Sequence, residues 1–447
     1  MVAPGEIAAR IAECRTDKQR SEAFLGLRLP DFDPVCLLDD PRANGVVASY
    51  ERPSLGLMLV AVGEAGRAVA APGDGPTGLR DAARALLDAP CTSDTPELRP
   101  RLLGGFAFDG QRPPTGPWTG FAAGALVLPR LLFVRDGGVT GVVVAPGVDP
   151  EEVEAALLPH IGLDVTPQEM RIAEDVDRDH WLQSVSAVAA DVREGEYEKV
   201  VLAASRELDA PEEIALGATL ARLRTDYPHC HVFSVSTDSA ENGAATFLGA
   251  SPELLVSLSN GTVRSLGLAG SARRGTDDAE DDAMGRALLE SAKDRIEHET
   301  VVRALREGLA PLTQHLHAPN QPELLKLRNI QHLVTHVTAE AAEGIDVLAL
   351  VAGLHPTPAV CGYPSAAARL VIEAHETFDR GWYAGPVGWM DASGDGEFAV
   401  ALRSALVRGR QAWLFAGAGI MGDSVPASEL AEIEMKFLPL TNALSGQ

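Results

Sequence analysis

The chain has 447 residues, 46% of them hydrophobic and 23% charged, a composition that supplies a full hydrophobic core and excludes a disordered protein. Its formal net charge of −25 argues against nucleic acid as a partner, because a nucleic-acid surface requires clustered basic residues. An acidic protein of this kind can hold an anionic ligand only with local cations, backbone N–H groups or a bound metal.

The sequence also bears on location and redox state. It contains no apolar run of about 18 residues, so we expect no membrane span. The start, Met-Val-Ala-Pro-Gly-Glu, lacks the basic and apolar segments of a secretory signal. Five scattered cysteines without a Cys-x-x-Cys pair fit reduced thiols rather than a disulfide framework or a zinc site. We therefore predict a cytoplasmic protein.

Residues 1–175 are loosely patterned and rich in Gly, Pro and Ala. Short apolar runs in this region predict strands at 57–62, 102–108, 124–134 and 141–144. The pattern becomes tighter afterwards. We therefore divide the chain into two regions, residues 1–175 and residues 176–447.

In residues 176–447, helical periodicity predicts helices at 180–194, 212–225, 281–307 and 428–437. Between them lie short apolar runs, which predict strands at 200–203, 231–236, 398–408 and 411–420. The strands come in groups instead of alternating strictly with helices. This grouping favours an α+β fold over a doubly wound sheet.

Two titratable residues stand next to predicted buried strands. Lys199 directly precedes the strand at 200–203, and Glu253 lies between a Ser-Pro turn and an apolar run. Lysines forced into apolar clefts lose proton affinity and can act as general bases, and carboxyl groups among apolar neighbours can hold and deliver a proton. Taken singly, Lys199 could also be a solvated lysine at a strand entrance, and Glu253 a solvent-facing turn residue.

Two motifs share an acid-x-x-acid spacing, Asp294-Arg-Ile-Glu297 and Glu429-Leu-Ala-Glu432. On a helix, residues i and i+3 share one face, so each motif presents two carboxylates together. Two facing pairs would suit a hard cation with oxygen ligands, and Mg²⁺ is such a cation. For either motif alone, a solvated acidic helix face is the alternative.

Anionic ligands need donors. Arg403 can offer a bidentate guanidinium to a carboxylate, and Lys436, four residues after Glu432, would face the same cleft. Gly417 and Gly419 lie in a strand-to-turn segment, where the missing side chains let backbone N–H groups approach a ligand.

The order and spacing of these motifs resemble the chorismate-utilising enzymes of the anthranilate synthase component I type, and within them the isochorismate synthases. The resemblance covers about residues 180–440 strongly and the N-terminal part weakly. It implies that residues 176–447 are the chorismate-binding catalytic region and residues 1–175 the N-terminal half of the fold. The segment His355-Pro-Thr-Pro-Ala-Val-Cys-Gly is similar to that of isochorismate synthases, whereas anthranilate-type members usually carry a Pro-Ala-Gly-Thr-like loop there.

This resemblance implies an α+β fold of two mostly antiparallel sheets packed together and flanked by helices, one large duplicated unit. It implies an isomerase that converts chorismate to isochorismate. Lys199 would activate the water that attacks C2, and Glu253 would protonate the departing C4 hydroxyl. Ammonia-using relatives typically have other residues at the position of Lys199, so this lysine bears on the choice of nucleophile.

The resemblance also implies Mg²⁺ as the cofactor. Glu297 and Glu432 match the nearer metal ligands, while Asp294 and Glu429 match residues that orient metal waters. At the position of Asp294 the family more often has glutamate. The residues that match substrate-binding positions of the family are Gly270, His332, Tyr383, Arg403, Gly417, Gly419 and Lys436.

Two other functions stay open at this point. One is a salicylate synthase, in which the same site also eliminates pyruvate, and the other is a non-catalytic chorismate-binding paralogue. We expect a small-molecule substrate, no nucleic-acid or membrane partner, and a monomer with at most weak association with downstream pathway enzymes. The product could serve menaquinone or siderophore biosynthesis.

Overall fold

The structure is a computed structural model that describes residues 9, 11–13, 22–39, 45–93, 95–157, 163, 166–237, 243–328 and 330–446. Strands of the first part are β1 Phe24–Arg28, β2 Val46–Arg52, β3 Leu57–Val69, β4 Cys91–Ser93, β5 Arg101–Phe106, β6 Gly124–Asp136, β7 Val139–Val144 and β8 Arg171–Glu174. Helices of this part are α1 Arg80–Leu86 and α2 Pro150–Leu157.

The strands that follow are β9 Lys199–Asp209, β10 His231–Thr237, β11 Ala245–Ser251, β12 Leu254–Ser259, β13 Thr262–Arg273, β14 Thr313–His317, β15 Glu323–Lys326, β16 Ile330–Ala341, β17 Gly362–Tyr363, β18 Pro386–Asp391, β19 Gly396–Val400, β20 Ser404–Arg408 and β21 Gln411–Ile420. The helices are α3 Arg178–Glu194, α4 Leu216–Asp226, α5 Asp278–Glu290, α6 Ala292–Leu309, α7 Val347–Leu354, α8 Ser365–His375 and α9 Pro426–Ser445. None of the helices in the described ranges is both long and apolar enough to cross a membrane.

The strands form two arms that meet at the paired strands β2, β3 and β6. The first arm runs from β2 through β10, β11, β20 and β21 to β9. The second arm runs from β6 through β5, β18, β19, β12 and β13 to β16. Pairing in both arms is antiparallel, and the helices lie outside them, so the predicted α+β class is confirmed. The two expected sheets are joined by shared strands into one hydrogen-bonded network.

The N-terminal and C-terminal parts of the chain are interleaved. Strand β2 pairs with β10, and β5 pairs with β18, so strands from before and after residue 175 lie side by side. Buried residues of both parts form one hydrophobic cluster. The cavity described below therefore has walls that depend on the whole chain.

Two predicted elements are broken where the sequence pattern is continuous. The single helix predicted at 281–307 is wrong, because Ser291 adopts an extended backbone (φ −63°, ψ 115°), and its side chain accepts from the N–H of Asp294. This cap begins α6, whose first two turns carry Asp294 and Glu297. The single strand predicted at 398–408 is also wrong, because Arg403 has a left-handed backbone (φ 48°) between β19 and β20.

The break at Arg403 lies where the chain crosses from the second arm back to the first. The chain leaves the first arm after β11, passes Glu253 and enters the second arm at β12; it returns through Ala401–Arg403. The two crossings are hydrogen-bonded to each other: Val400 N–H donates to the Glu253 carbonyl at 3.0 Å, and Ala250 N–H donates to the Arg403 carbonyl at 3.1 Å. Both crossings therefore bring a candidate site residue to the junction of the arms.

Candidate active site

The candidate site is one cavity of about 290 Å³, enclosed by strands of both arms and by α6 and α9. Every residue that the sequence predicted for catalysis, substrate binding or metal binding lines it. These residues are Lys199, Glu253, Gly270, Asp294, Glu297, His332, Tyr383, Arg403, Gly417, Gly419, Glu429, Glu432 and Lys436. The structure therefore brings the whole predicted set together, and the role of each residue stays a prediction.

Lys199 lies at the first position of β9, with its side chain directed into the cavity wall. The side chain is only 1% exposed, so the alternative of a solvated lysine is wrong. Its Nζ lies 2.8 Å from Glu297 Oε1 on α6. The strand thus presents the amino group of Lys199, and the helix holds it in a fixed position.

Space for this ion pair depends on a missing side chain. A Cβ atom at Gly419 would lie 2.5 Å from Glu297 Oε1 and 2.8 Å from Lys199 Cε. We expect Gly419→Ala to push the pair apart and lower kcat by roughly tenfold or more, because small displacements of reacting groups are costly. Steady-state kinetics with a circular dichroism spectrum of the variant would check this.

Gly110→Ala is the matched control for that substitution. A Cβ atom at Gly110 meets nothing within 4 Å, and neither glycine has a left-handed backbone. The control should keep normal kinetics. Normal kcat in a folded Gly419→Ala protein would show that the position of the ion pair does not limit the rate.

Glu253 is buried at the crossing between β11 and β12, so the alternative of a solvent-facing turn residue is wrong. Burial raises the pKa of its carboxyl group to about 8, although Lys199 and Lys436 act in the opposite direction. The group therefore holds a proton at neutral pH. A buried carboxyl group in this state can deliver a proton to a leaving group.

The two acid-x-x-acid motifs lie on helices that face each other across the cavity, Asp294 and Glu297 on α6, Glu429 and Glu432 on α9. Burial raises the pKa of Asp294, and the nearby carboxylates of Glu297 and Glu432 raise it further. Burial likewise raises the pKa of Glu429, and Glu432 adds to that rise. The alternative of two unrelated, solvated acidic faces is therefore wrong.

Three of these four carboxylates contact a lysine. Besides the pair of Lys199 and Glu297, Lys436 Nζ lies 2.6 Å from Glu432 Oε1, and Lys293 Nζ lies 3.2 Å from Glu429 Oε1. Lys293 is not among the residues predicted from the sequence. The signal was available, because residue 293 lies four positions before Glu297 and so on the same helix face.

The four carboxylates fit a hard divalent cation by their chemistry and by their mutual repulsion, which a cation would relieve. In this structure Lys199, Lys293 and Lys436 contact three of the carboxylates and lie between the acidic groups. Accordingly, the ranges that the structure describes contain no group of three or more His, Cys, Asp or Glu residues close enough to hold a metal ion. A cation would have to exchange with the lysines.

Arg403 is almost completely buried, and its Nη2 lies 3.4 Å from His332 Nε2. His332 Nδ1 lies 2.8 Å from the Ser271 hydroxyl. Burial, together with the charge of Arg403, lowers the pKa of His332 far below its usual value, so the ring is neutral. Because a guanidinium only donates, we assign Nε2 as the acceptor and Nδ1–H as the donor to Ser271.

His332 therefore orients Arg403 as well as lining the cavity. Ser271, which also lines the cavity, was missed by the sequence analysis, because one serine in a strand carries no signal of its own. The left-handed backbone of Arg403 costs conformational energy, which the bond from Ala250 to its carbonyl offsets.

The remaining candidates form one wall. The Tyr383 ring stacks on Phe415, with centroids 5.4 Å apart and planes at 23°. A Cβ atom at Gly417 would lie 3.0 Å from the Tyr383 hydroxyl, and the Gly417 carbonyl accepts from Lys436 Nζ at 2.7 Å. Gly270 has a left-handed backbone (φ 76°), and a Cβ there would lie 3.0 Å from Asp294 Cβ.

Basic side chains in the cavity allow it to bind an anion although the net charge of the protein is −25. Three lysines and one arginine line it: Lys199, Lys293, Arg403 and Lys436. These basic side chains face the four carboxylates of α6 and α9, while Glu253 is protonated and His332 is neutral. The site can therefore accept an anion and a cation together at little electrostatic cost.

Known proteins are similar to most of this chain. The family described as chorismate binding enzyme matches residues 9–445. The "Salicylate biosynthesis isochorismate synthase" of Pseudomonas aeruginosa is 40% identical over 370 residues, 78% of this chain and 75% of that protein. The "Isochorismate synthase MenF" of Bacillus subtilis is 36% identical over 359 residues, with the same coverage of 78% and 75%.

A solved structure shares the fold over nearly its full length. The menaquinone-specific isochorismate synthase MenF from Escherichia coli superposes with a TM-score of 0.76 at 28% sequence identity. The match covers 94% of this chain and 94% of that chain. The similarity therefore extends over both arms, including the weakly patterned N-terminal part.

Proposed function

Because this chain belongs to the chorismate binding enzyme family, we propose that it isomerises chorismate to isochorismate. The observation that carries the proposal is one cavity with a buried lysine and a buried carboxyl group that holds its proton at neutral pH. Such a pair can remove a proton from one reacting atom and supply one to another. The two relatives named above are both isochorismate synthases, which supports the same reaction here.

In the proposed reaction the Lys199 amine, in its unprotonated form, accepts a proton from a water molecule as the water oxygen bonds to C2 of chorismate. The ring double bonds shift, the C4–O bond breaks, and Glu253 donates its proton to the departing hydroxyl. One water enters and one leaves, so substrate and product are isomers. The two have similar bonding, so we expect a reversible reaction that a downstream enzyme draws forward.

Chorismate is a dicarboxylate, and the cavity offers a cation for each carboxylate. We assign Arg403 and Lys436 to these contacts. Arg403 is held by His332 and Lys436 by the Gly417 carbonyl, so both donors are positioned before substrate arrives. Donors that are already in position can bind the substrate carboxylates without first having to reorganise.

The proposal includes Mg²⁺ as cofactor, supported by the carboxylates of α6 and α9. Glu297 and Glu432 would hold the ion directly, and Asp294 and Glu429 would orient its water ligands. When bound, Mg²⁺ would neutralise a substrate carboxylate. The lysine partners of Glu297 and Glu432 are the proposed base and a proposed anion contact, so both lysines would become available to substrate.

Product analysis of chorismate turnover tests the function. With Mg²⁺ we expect chorismate and isochorismate to reach a stable mixture without pyruvate, and with EDTA we expect the rate to fall by roughly 10²-fold or more. Chromatography detects the two isomers, and lactate dehydrogenase detects pyruvate. Restoring Mg²⁺ to the chelated sample is the control.

Three outcomes would contradict parts of this proposal. Stoichiometric pyruvate would identify a salicylate synthase. Chorismate binding without turnover would identify a binding paralogue. An unchanged rate in EDTA would remove the metal from the reaction.

A further inference from the structure

A buried ion pair lies directly behind the cavity wall. The side chains of Arg380 and Glu376 are 4% and 3% exposed. The guanidinium donates to both carboxylate oxygens, from Nε at 2.8 Å and from Nη2 at 2.5 Å. Burying two charges costs desolvation energy that their attraction often fails to repay. Neither residue lines the cavity, so direct contact with a ligand in the cavity does not explain why this ion pair is buried.

Arg380 also holds two backbone carbonyls of cavity-lining residues. Its Nη1 donates to the Val360 carbonyl and its Nη2 to the Val201 carbonyl, each at 2.8 Å. On the other side, Glu376 Oε1 accepts from the N–H of Ala203 at 2.7 Å. Val201 and Val360 both line the cavity. The ion pair thus fastens β9 to the loop that follows α7.

The same arginine supports the aromatic wall. Its guanidinium carbon lies 4.3 Å from the centre of the Phe108 ring and 6.0 Å from the centre of the Tyr383 ring. The Arg380 carbonyl accepts from the Tyr383 N–H at 2.9 Å. Arg380 therefore contacts three separate parts of the cavity wall, at Val201, Val360 and Tyr383.

We propose that Arg380, held by Glu376, is a positioning residue that fixes strand β9 relative to the opposite walls of the cavity. Residues two apart on a strand face the same side, so Lys199 and Val201 both face the cavity. A displacement of Val201 would move the Lys199 amine with it. The kinetic consequence of this role rests on the proposed function.

Arg380→Lys is the variant that separates charge from geometry. Lysine keeps a positive charge for Glu376 but lacks the planar set of donors that reaches both carbonyls. We expect kcat to fall by roughly 10- to 100-fold while KM for chorismate stays within about threefold, since misplacement of reacting groups acts on the chemical step. KM should hold because Arg403 and Lys436 do not contact Arg380.

Arg101→Lys is the matched control. Arg101 is 2% exposed, pairs with Asp136 at 3.0 Å, and lies over the Trp389 ring at 4.8 Å, outside the cavity. Both variants lose a buried guanidinium that packs on an aromatic ring. Loss of kcat in Arg380→Lys with normal kcat in the control supports the proposal. Equal losses in both, or a change in KM alone, would overturn it.

Hydrogen exchange gives a readout that needs no chorismate. The Val201 N–H donates to Cys361 and the Ala203 N–H donates to Glu376, so these two amides should exchange faster in Arg380→Lys than in the wild type. Unchanged exchange in the folded variant would overturn the proposal. An inactive wild-type protein would refute the proposed function, while exchange would still decide the positioning role.

Glu376→Gln is the second variant, for use if Arg380→Lys does not fold. Glutamine keeps one oxygen for Ala203 and loses the charge that holds the guanidinium. We expect a smaller loss of kcat, roughly fivefold, with KM unchanged and faster exchange at Val201. Normal kcat together with normal exchange would contradict the role of the pair.

Discussion

Replacing Lys199 with methionine is expected to lower kcat by roughly 10²- to 10⁴-fold, the usual contribution of a positioned acid or base. Methionine fills a similar volume but cannot accept a proton from water. Chorismate binding should remain measurable by calorimetry, because Arg403 and Lys436 still face the cavity. The loss should therefore fall on kcat rather than on KM.

Lys293→Met is the matched control for this variant. Lys293 lines the same cavity and contacts a carboxylate of the same acidic set, Glu429 at 3.2 Å. Both variants remove one lysine amino group from the cavity, but the mechanism gives Lys293 no proton to transfer. We expect kcat of the control to fall by about tenfold or less. Equal losses in the two variants would show that cavity charge, and not proton transfer by Lys199, sets the rate.

Glu253→Gln is the second variant with a large expected effect. Glutamine has the same shape as a protonated glutamate but cannot deliver a proton, so we expect kcat to fall by roughly 10²- to 10⁴-fold. The wild-type rate should itself decline above about pH 8, because the carboxyl group loses its proton there. The advantage of wild type over variant should therefore shrink at alkaline pH. A constant ratio from pH 6 to about pH 9 would contradict the role of Glu253 as the acid.

The same substitution has a signature in stability. The pKa of Glu253 is raised from 4.5 to about 8 in the folded protein, so the unfolded chain releases a proton that the folded chain keeps. Unfolding is therefore favoured progressively as the pH rises through this window, and glutamine removes that effect. The melting temperature of Glu253→Gln should rise relative to wild type between pH 4.5 and 8. Glu340→Gln, at an exposed position of β16, should show no such trend.

The sequence alone predicted those features that depend on the local spacing of residues. The acid-x-x-acid spacing placed Asp294 with Glu297, and Glu429 with Glu432, on one face each of α6 and α9. The grouping of strands gave the α+β class. Both results follow from helix and strand periodicity, which is a local property of the chain.

The two wrong predictions have different causes. At Ser291 the break is local, because its side chain caps α6 by accepting from the Asp294 N–H, whereas helical periodicity continues through this position. At Arg403 no local signal marks the break, because apolar character continues through Ala401 and Leu402 and the Arg403 carbonyl meets Ala250 in the other arm. A contact across more than 150 positions of sequence cannot be read from composition.

Three residues that were not predicted from the sequence act through distant partners. Lys293 contacts Glu429, Ser271 contacts His332, and Arg380 bonds to Val201. Each residue taken alone is an ordinary lysine, serine or arginine. Their importance comes from partners that lie far away in the chain.

The sequence by itself determined which chemical groups the site contains and how they repeat along each helix. Only the tertiary structure decided that Lys199 is buried against Glu297 and that Glu253 keeps its proton. The reason is physical: the pKa of a side chain depends on how much water surrounds it and which charges are near. Both are set by the packing of α6 and α9 against two arms of strands from the entire chain.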